Sequence, residues 1–118
     1  MIKSFKDLKV YQKSFKLAMI IFKETRNFPV EERYSLTSQI TRSSRSIAAN
    51  ISEGWAKREY QSVFKQHLVH SLGSAGETKT WIDFSLECGY ITNELHKNWI
   101  NQIEEISKML TVLHQNWK

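Results

Sequence analysis

The sequence predicts an all-α protein, an antiparallel four-helix bundle with up-down-up-down connections. In four segments, apolar residues recur every three or four positions, as they do on one face of a helix. The 118 residues include one proline and four glycines, too few for the frequent turns of an all-β fold. No segment alternates between apolar and polar residues as a half-buried strand does. We therefore expect one domain, residues 1–118, with its own core.

The first predicted helix spans residues 7–26. Ser4 and Asp7 have the spacing of a capping box at its start. Its apolar stripe consists of Leu8, Tyr11, Phe15, Ala18 and Phe22. Lysines recur with the same period on its remaining surface: Lys6, Lys9, Lys13 and Lys16. Such a row is usually a solvated face, but it can also attract a polyanion.

Pro29 predicts a break before the second helix, since proline disfavours helical geometry in the preceding residue and fits a first helical turn. The second helix is expected over residues 31–53, with Gly54 as the left-handed residue that ends it. Its narrow side holds Leu36, Ile40, Ser43, Ser44, Ile47, Ala48 and Ile51. We predict that Arg42 and Arg45 lie on the other side of this helix and are exposed.

The third predicted helix, residues 59–87, contains two glycines, Gly73 and Gly76. Each costs about 1 kcal/mol relative to alanine in a helix interior, which predicts that another backbone, the narrow side of helix 2, approaches there. Gly89 is expected to end this helix, and Thr92 to cap a fourth helix that runs to the end of the sequence.

Several large apolar residues exceed what one bundle core can hold, which predicts an interface between copies of the chain. These residues are Met19, Ile20, Trp55, Trp81, Ile100 and Met109.

The charge is unevenly distributed. The net charge is +5, with +7 in residues 1–58 and −2 in residues 59–118. A basic half is expected in a protein that binds a polyanion, and the alternative is that the charge serves solubility alone.

Nothing in the sequence indicates catalysis, so we expect no enzyme activity, no cofactor and no metal. Cys88 is the only cysteine and cannot form an internal disulfide. His67 and His70 could share a metal, but no further ligand follows at suitable spacing. No apolar run is long enough to span a bilayer and no signal peptide is evident, which predicts a cytoplasmic protein without a membrane partner.

Three stretches carry a family resemblance: FKDLKVYQKS at residues 5–14, FPVEERYSLTSQITRSSRSIAANISEGWAKR at 28–58, and SLGSAGET at 71–78. They resemble the bacterial four-helix-bundle proteins encoded in intervening sequences of 23S ribosomal RNA genes. That family is in turn similar to the accessory variability proteins of diversity-generating retroelements. The resemblance implies a homopentamer and no established enzymatic activity. For the retroelement relatives it implies binding to nucleic acid and to a reverse transcriptase.

The residues that match the family pattern are Phe28, Pro29, Glu32, Tyr34, Leu36, Ser38, Gln39, Arg42, Ser46, Ile47, Asn50, Ile51, Glu53, Gly54, Gly73, Ser74 and Glu77. We interpret this pattern mainly as a fold motif. Asn50 and Glu53 are expected to satisfy polar groups near the end of helix 2, because they would be costly if buried and unpaired.

Two functions remain open. The first is an oligomer that binds RNA or DNA through a basic surface of helices 1 and 2. The residues expected to contact phosphates are Lys9, Lys13, Lys16, Arg42, Arg45, Lys57 and Arg58. The second is a protein-interaction scaffold with no direct role in nucleic-acid binding.

Overall fold

A computed structural model of the chain describes residues 1–117, and within them it confirms the all-α four-helix bundle. The helices are α1 (Lys9–Thr25), α2 (Leu36–Ala56), α3 (Gln61–Glu87) and α4 (Asn93–Asn116), with short 3-10 helices at Phe5–Asp7 and Val30–Glu32. None of the helices is long and apolar enough to cross a membrane within this range. The prediction that the last helix includes Lys118 lies outside the described residues.

The buried face of α1 is rotated from the predicted stripe. Its buried positions are Val10, Ser14, Leu17, Ala18, Ile21 and Thr25. Phe15, predicted in the core, is 52% exposed, and Tyr11 and Phe22 are partly buried. The reason is that α1 packs between α2 and α4, so its most buried line points between them. The aromatic side chains lie on the flank beside α2.

The predicted start of the second helix was too early. Pro29 precedes the 3-10 helix, and α2 begins at Leu36. Its first turn is capped by Glu32, whose Oε1 accepts a hydrogen bond from the backbone N–H of Leu36 at 3.2 Å. The capping box of Ser4 and Asp7 is confirmed, but it caps the start of the 3-10 helix Phe5–Asp7 and not that of α1.

The role predicted for Gly54 was wrong. This glycine is buried inside α2, which continues to Ala56. A Cβ atom there would lie 2.7 Å from the Cβ of His67 and 3.2 Å from Cδ1 of Phe64. Gly54 therefore lies where the backbone of α2 approaches α3 too closely for a larger side chain. The left-handed residue is Gly89, with φ of 79°, and it ends α3 as predicted.

The close approach predicted at Gly73 and Gly76 was also wrong. Both glycines are exposed, and a Cβ atom at either would meet nothing within 4 Å. α3 instead presents hydroxyl side chains to the narrow side of α2. Ser71 Oγ donates to the carbonyl of Ile47 at 2.8 Å.

Two further hydroxyl pairs extend this contact, which we call the α2–α3 seam. Thr78 Oγ1 donates to Ser43 Oγ at 2.9 Å, and Ser74 Oγ donates to Ser46 Oγ at the same distance. Because these side chains are small, the two helices pack closely while their polar atoms remain paired.

An aromatic cluster closes the end of the bundle where α2 meets α3. The ring centroids of Phe64 and Trp117 are 4.5 Å apart, and Trp55 lies 5.8 Å from Trp117. Trp55, one of six large apolar residues of which some were predicted to lie outside the core, is thus buried in it. The other five large apolar residues of that prediction are partly buried.

Candidate nucleic-acid interface

The lysines predicted to bind phosphate on α1 are exposed on the flank that faces α4. Lys13 Nζ forms an ion pair with Glu105 Oε1 at 3.0 Å. Lys9 lines an apolar groove between α1 and α4 together with Met109. Lys16 follows on the same flank, one turn beyond Lys13.

The two arginines of α2 are exposed on its outer face. Arg45 places its guanidinium carbon 5.1 Å from the ring centroid of Phe22, on the flank of α1 opposite the lysines. Among residues 1–117, no carboxylate lies within 4.0 Å of Arg42 or Arg45. Their positive charges are thus available to a ligand.

The two basic residues after α2 are engaged within the fold. Lys57 Nζ contacts Glu53 Oε2 at 3.1 Å and His67 Nε2 at 3.4 Å. Arg58 stacks 4.3 Å above the ring of Trp55 and donates a hydrogen bond to the Trp55 carbonyl at 2.9 Å. Arg58 therefore helps to cap the end of α2.

The seven predicted residues do not form one continuous patch. The lysines of α1 face α4, the arginines of α2 lie across the aromatic flank of α1, and Lys57 and Arg58 are at the end of the bundle. Arg42 and Arg45 combine exposure with a shared helix face and, within residues 1–117, with the absence of an ion pair to a carboxylate.

Sequence reasoning missed two arginines near this surface. The guanidinium carbon of Arg26 lies 5.1 Å from the centroid of Phe22, the same ring that Arg45 approaches. Arg33 and Arg26 both line a depression between the end of α1 and the start of α2. The spacing of four residues between Phe22 and Arg26 was a local signal for their contact, whereas the approach of Arg45 depends on helix packing.

The histidines do not assemble a metal site in the described part of the chain. The ring centroids of His67 and His70 are 5.9 Å apart. In residues 1–117, no group of three or more His, Cys, Asp or Glu side chains is arranged to hold a metal ion.

The chain has relatives among known protein families and solved structures. Residues 6–112 match the family model of the 23S rRNA-intervening sequence protein. The chain belongs to this family. It is also similar to a crystal structure of a protein of unknown function from the S23 ribosomal protein family of Bacteroides thetaiotaomicron. That similarity has 30% identity and a TM-score of 0.82, and it covers 91% of this chain and 96% of the other. No curated protein matches the chain.

Two motif residues near the end of α2, Asn50 and Glu53, lie beside His67 of α3. Asn50 Nδ2 donates to the carbonyl of Ser46 at 3.0 Å, and its Oδ1 lies 3.3 Å from Nδ1 of His67. Glu53 accepts from Lys57, and this hydrogen bond, with the lysine charge, lowers the pKa of the Glu53 carboxyl. The structural roles expected for Asn50 and Glu53 stay a prediction.

Two other motif carboxylates accept hydrogen bonds from aromatic residues. Glu77 Oε2 accepts from Trp81 Nε1 at 3.0 Å within α3. Glu32, which caps α2, also accepts from the hydroxyl of Tyr90 at 2.7 Å. Phe28 packs beside Tyr90, with ring centroids 5.3 Å apart. Glu32 thus joins the α1–α2 and α3–α4 connections.

The hydrogen bond to Glu32 raises the pKa of Tyr90 from 10.0 to about 12. Because the folded protein favours the neutral phenol, this stabilisation is present below pH 10 and is lost as the pH rises toward 12. We expect Tyr90→Phe to be less stable than the wild type at pH 8, with the difference disappearing between pH 10 and 12. Urea denaturation across this pH range measures the effect.

An absorbance titration of tyrosinate provides the control. Of the four tyrosines, one should ionise last in the wild type, and this late step should be missing from Tyr90→Phe. If the late step persists in the variant, it belongs to another tyrosine and the pairing of Tyr90 with Glu32 is wrong.

Proposed function

We propose that this member of the family is a non-enzymatic, oligomeric protein that binds nucleic acid, with RNA as the ligand, through basic residues of α1 and α2. The observation that carries the proposal is the exposed pair Arg42 and Arg45, which shares one helix face without a carboxylate partner in residues 1–117. Guanidinium groups bind phosphate in a bidentate manner, which suits them to this ligand.

The surface around these arginines suits a sugar–phosphate backbone. Ala49 is exposed one turn beyond Arg45, and a shallow groove beside the two arginines is lined by Gln39, Ser46, Glu77 and other polar side chains. Small residues let a polyanion approach the arginines closely. Contacts to phosphate carry little sequence information, so the protein should bind RNA of mixed sequence.

Assembly of several copies would strengthen such binding. One chain carries a net charge of +5. A homopentamer, which the family resemblance implies, would carry about +25 and engage many phosphates at once, each contact weak and sensitive to salt.

Charge reversal at Arg42 and Arg45 tests the proposal. We expect R42E/R45E to bind mixed-sequence RNA at least about tenfold more weakly at ~50 mM salt, because two phosphate contacts become repulsive. The slope of log K against log salt should fall by about 0.7 per lost contact if the RNA is single-stranded. Filter binding across a salt series measures both quantities.

The matched control is K65E/K97E, which makes the same change in net charge on α3 and α4. If the control loses as much affinity as R42E/R45E, the surface is wrong. If the wild type binds no RNA at ~50 mM salt, nucleic-acid binding itself is wrong. Light scattering on the same sample tests assembly, since a 13.9 kDa particle would contradict the oligomer.

A second candidate function is a protein-interaction scaffold, and one groove favours it. Between α1 and α2, Tyr11, Phe15 and Met19 form an apolar depression of about 250 Å³ that Arg45 borders. An amphipathic helix of a partner protein, such as a reverse transcriptase, would fit an apolar groove with a basic rim. In that case Phe15→Ser would weaken partner binding, while the protein would show no affinity for RNA.

A further inference from the structure

We propose that the depression between the end of α1 and the start of α2 is a site for one unpaired RNA nucleotide, in which Arg26 and Arg33 bind its phosphate. This inference rests on the proposed function and goes further, because it assigns a site, a ligand unit and two arginines outside the α1 and α2 set predicted from the sequence.

The depression has the size and the lining for a nucleotide. Its volume is about 460 Å³. This value lies within the range of roughly 300–1,000 Å³ that is usual for small-molecule sites. Two arginines and two threonines line it together with apolar side chains, among them Pro29 and Val30. Val30 is exposed, so an apolar surface is open to a base or sugar beside the basic groups.

The positive charges converge on one aromatic ring. The guanidinium carbons of Arg26 and Arg45 each lie 5.1 Å from the centroid of Phe22. The two groups are therefore separated by no more than about twice that distance, and the Debye length at physiological salt is about 8 Å. Phe22 offsets part of their repulsion through cation–π contacts. Of these two arginines, Arg26 lines the depression together with Arg33, and a phosphate bound there would accept from both of the lining guanidinium groups.

The carboxylates nearest in sequence do not line the depression. Glu24 lies within hydrogen-bond distance of Asn27, with its Oε2 3.4 Å from Nδ2 of that residue. Glu32 accepts from Tyr90 and from the backbone of Leu36. Within residues 1–117, no carboxylate forms an ion pair with Arg26, Arg33 or Arg45. The two arginines that line the depression, Arg26 and Arg33, are thus free of ion pairs within the described part of the chain.

The geometry favours an unpaired nucleotide over a duplex. A base inside a duplex is stacked on both faces and cannot enter a depression of this size without leaving the helix. Proteins recognise single-stranded RNA by placing unstacked bases against aromatic rings or arginine planes, and both are present here. Binding at this site should therefore depend on strandedness, unlike phosphate contacts on the outer face of α2.

The test compares R26A/R33A with the wild type on a ten-nucleotide single-stranded RNA and on a blunt RNA duplex of the same sequence. We expect R26A/R33A to bind the single strand about tenfold more weakly than the wild type does. Its affinity for the duplex should equal that of the control variant K65A/K97A. That control loses the same charge at positions away from the depression. Fluorescence anisotropy at fixed low salt measures the affinities of all three proteins for both RNAs.

A second variant, Phe22→Leu, keeps the apolar volume and removes the ring that places Arg26 and Arg45. It should weaken the single-strand complex several-fold and leave the duplex complex unchanged. If R26A/R33A matches the control on the single strand, or loses as much on the duplex, the nucleotide site is wrong and the proposed function stands. If the wild type binds neither RNA, both fail.

Discussion

Replacing Phe64 with alanine is expected to reduce the free energy of unfolding by about 3–5 kcal/mol, since the change removes a fully buried ring and leaves a cavity. The Phe64 side chain is 0% exposed. It contacts the rings of Trp55 and Trp117, with centroids 6.3 and 4.5 Å away. No neighbour can collapse into the space easily, because α2, α3 and the end of α4 all meet there.

Phe84→Ala is the matched control on the same helix. The Phe84 side chain is 52% exposed and packs beside Trp81, so its loss should cost less than about 1 kcal/mol. Urea denaturation followed by circular dichroism measures both variants. Equal losses at the two positions would mean that Phe64 does not occupy the core contact described for it.

Replacing Gly54 with alanine is expected to destabilise the protein by about 2 kcal/mol, although alanine is the better helix former. The new Cβ would lie 2.7 Å from the Cβ of His67, an atom fixed to the backbone of α3. To relieve this close contact, α2 and α3 must move apart, and overpacking of this kind costs about 1–3 kcal/mol or more. The gain of up to about 1 kcal/mol in helix propensity only partly offsets it.

Gly73→Ala should change the stability of the protein in the opposite direction. Gly73 is exposed within α3 and has open space around it, so alanine should stabilise the protein by about 0.5–1 kcal/mol. The two variants carry the same chemical change, and the same denaturation experiment compares them. Stabilisation by both would show that α2 and α3 are further apart at Gly54 than the structure has them.

These two glycines show what the sequence could and could not predict. Both stand in segments with clear helical periodicity, and the four helices were therefore predictable from the spacing of apolar residues. Which glycine faces a neighbouring helix depends on how α2 and α3 are rotated against each other. The sequence contained a hint in Ser71, Ser74 and Thr78, whose spacing of three and four marks a polar stripe on one face of α3.

The candidate site was predictable to a smaller extent. Exposure of Arg42 and Arg45 followed from the helical wheel of α2, and the structure has both exposed. Their separation from the lysines of α1 could not be foreseen, because it depends on which flank of α1 faces which helix. For the same reason, the meeting of Arg26 and Arg45 at Phe22 required the packed structure.

The α2–α3 seam has a mechanical consequence. Sliding α2 along α3 by one helical turn would break the bonds of Ser71, Ser74 and Thr78 together, so this pair is held in one register. The opposite side of the bundle, between α1 and α4, is bordered by an apolar groove at Leu8 and Met109 and has no such ladder of hydroxyl bonds in residues 1–117. If the bundle opens, α2 and α3 should move together as one rigid unit, and α1 should separate from α4.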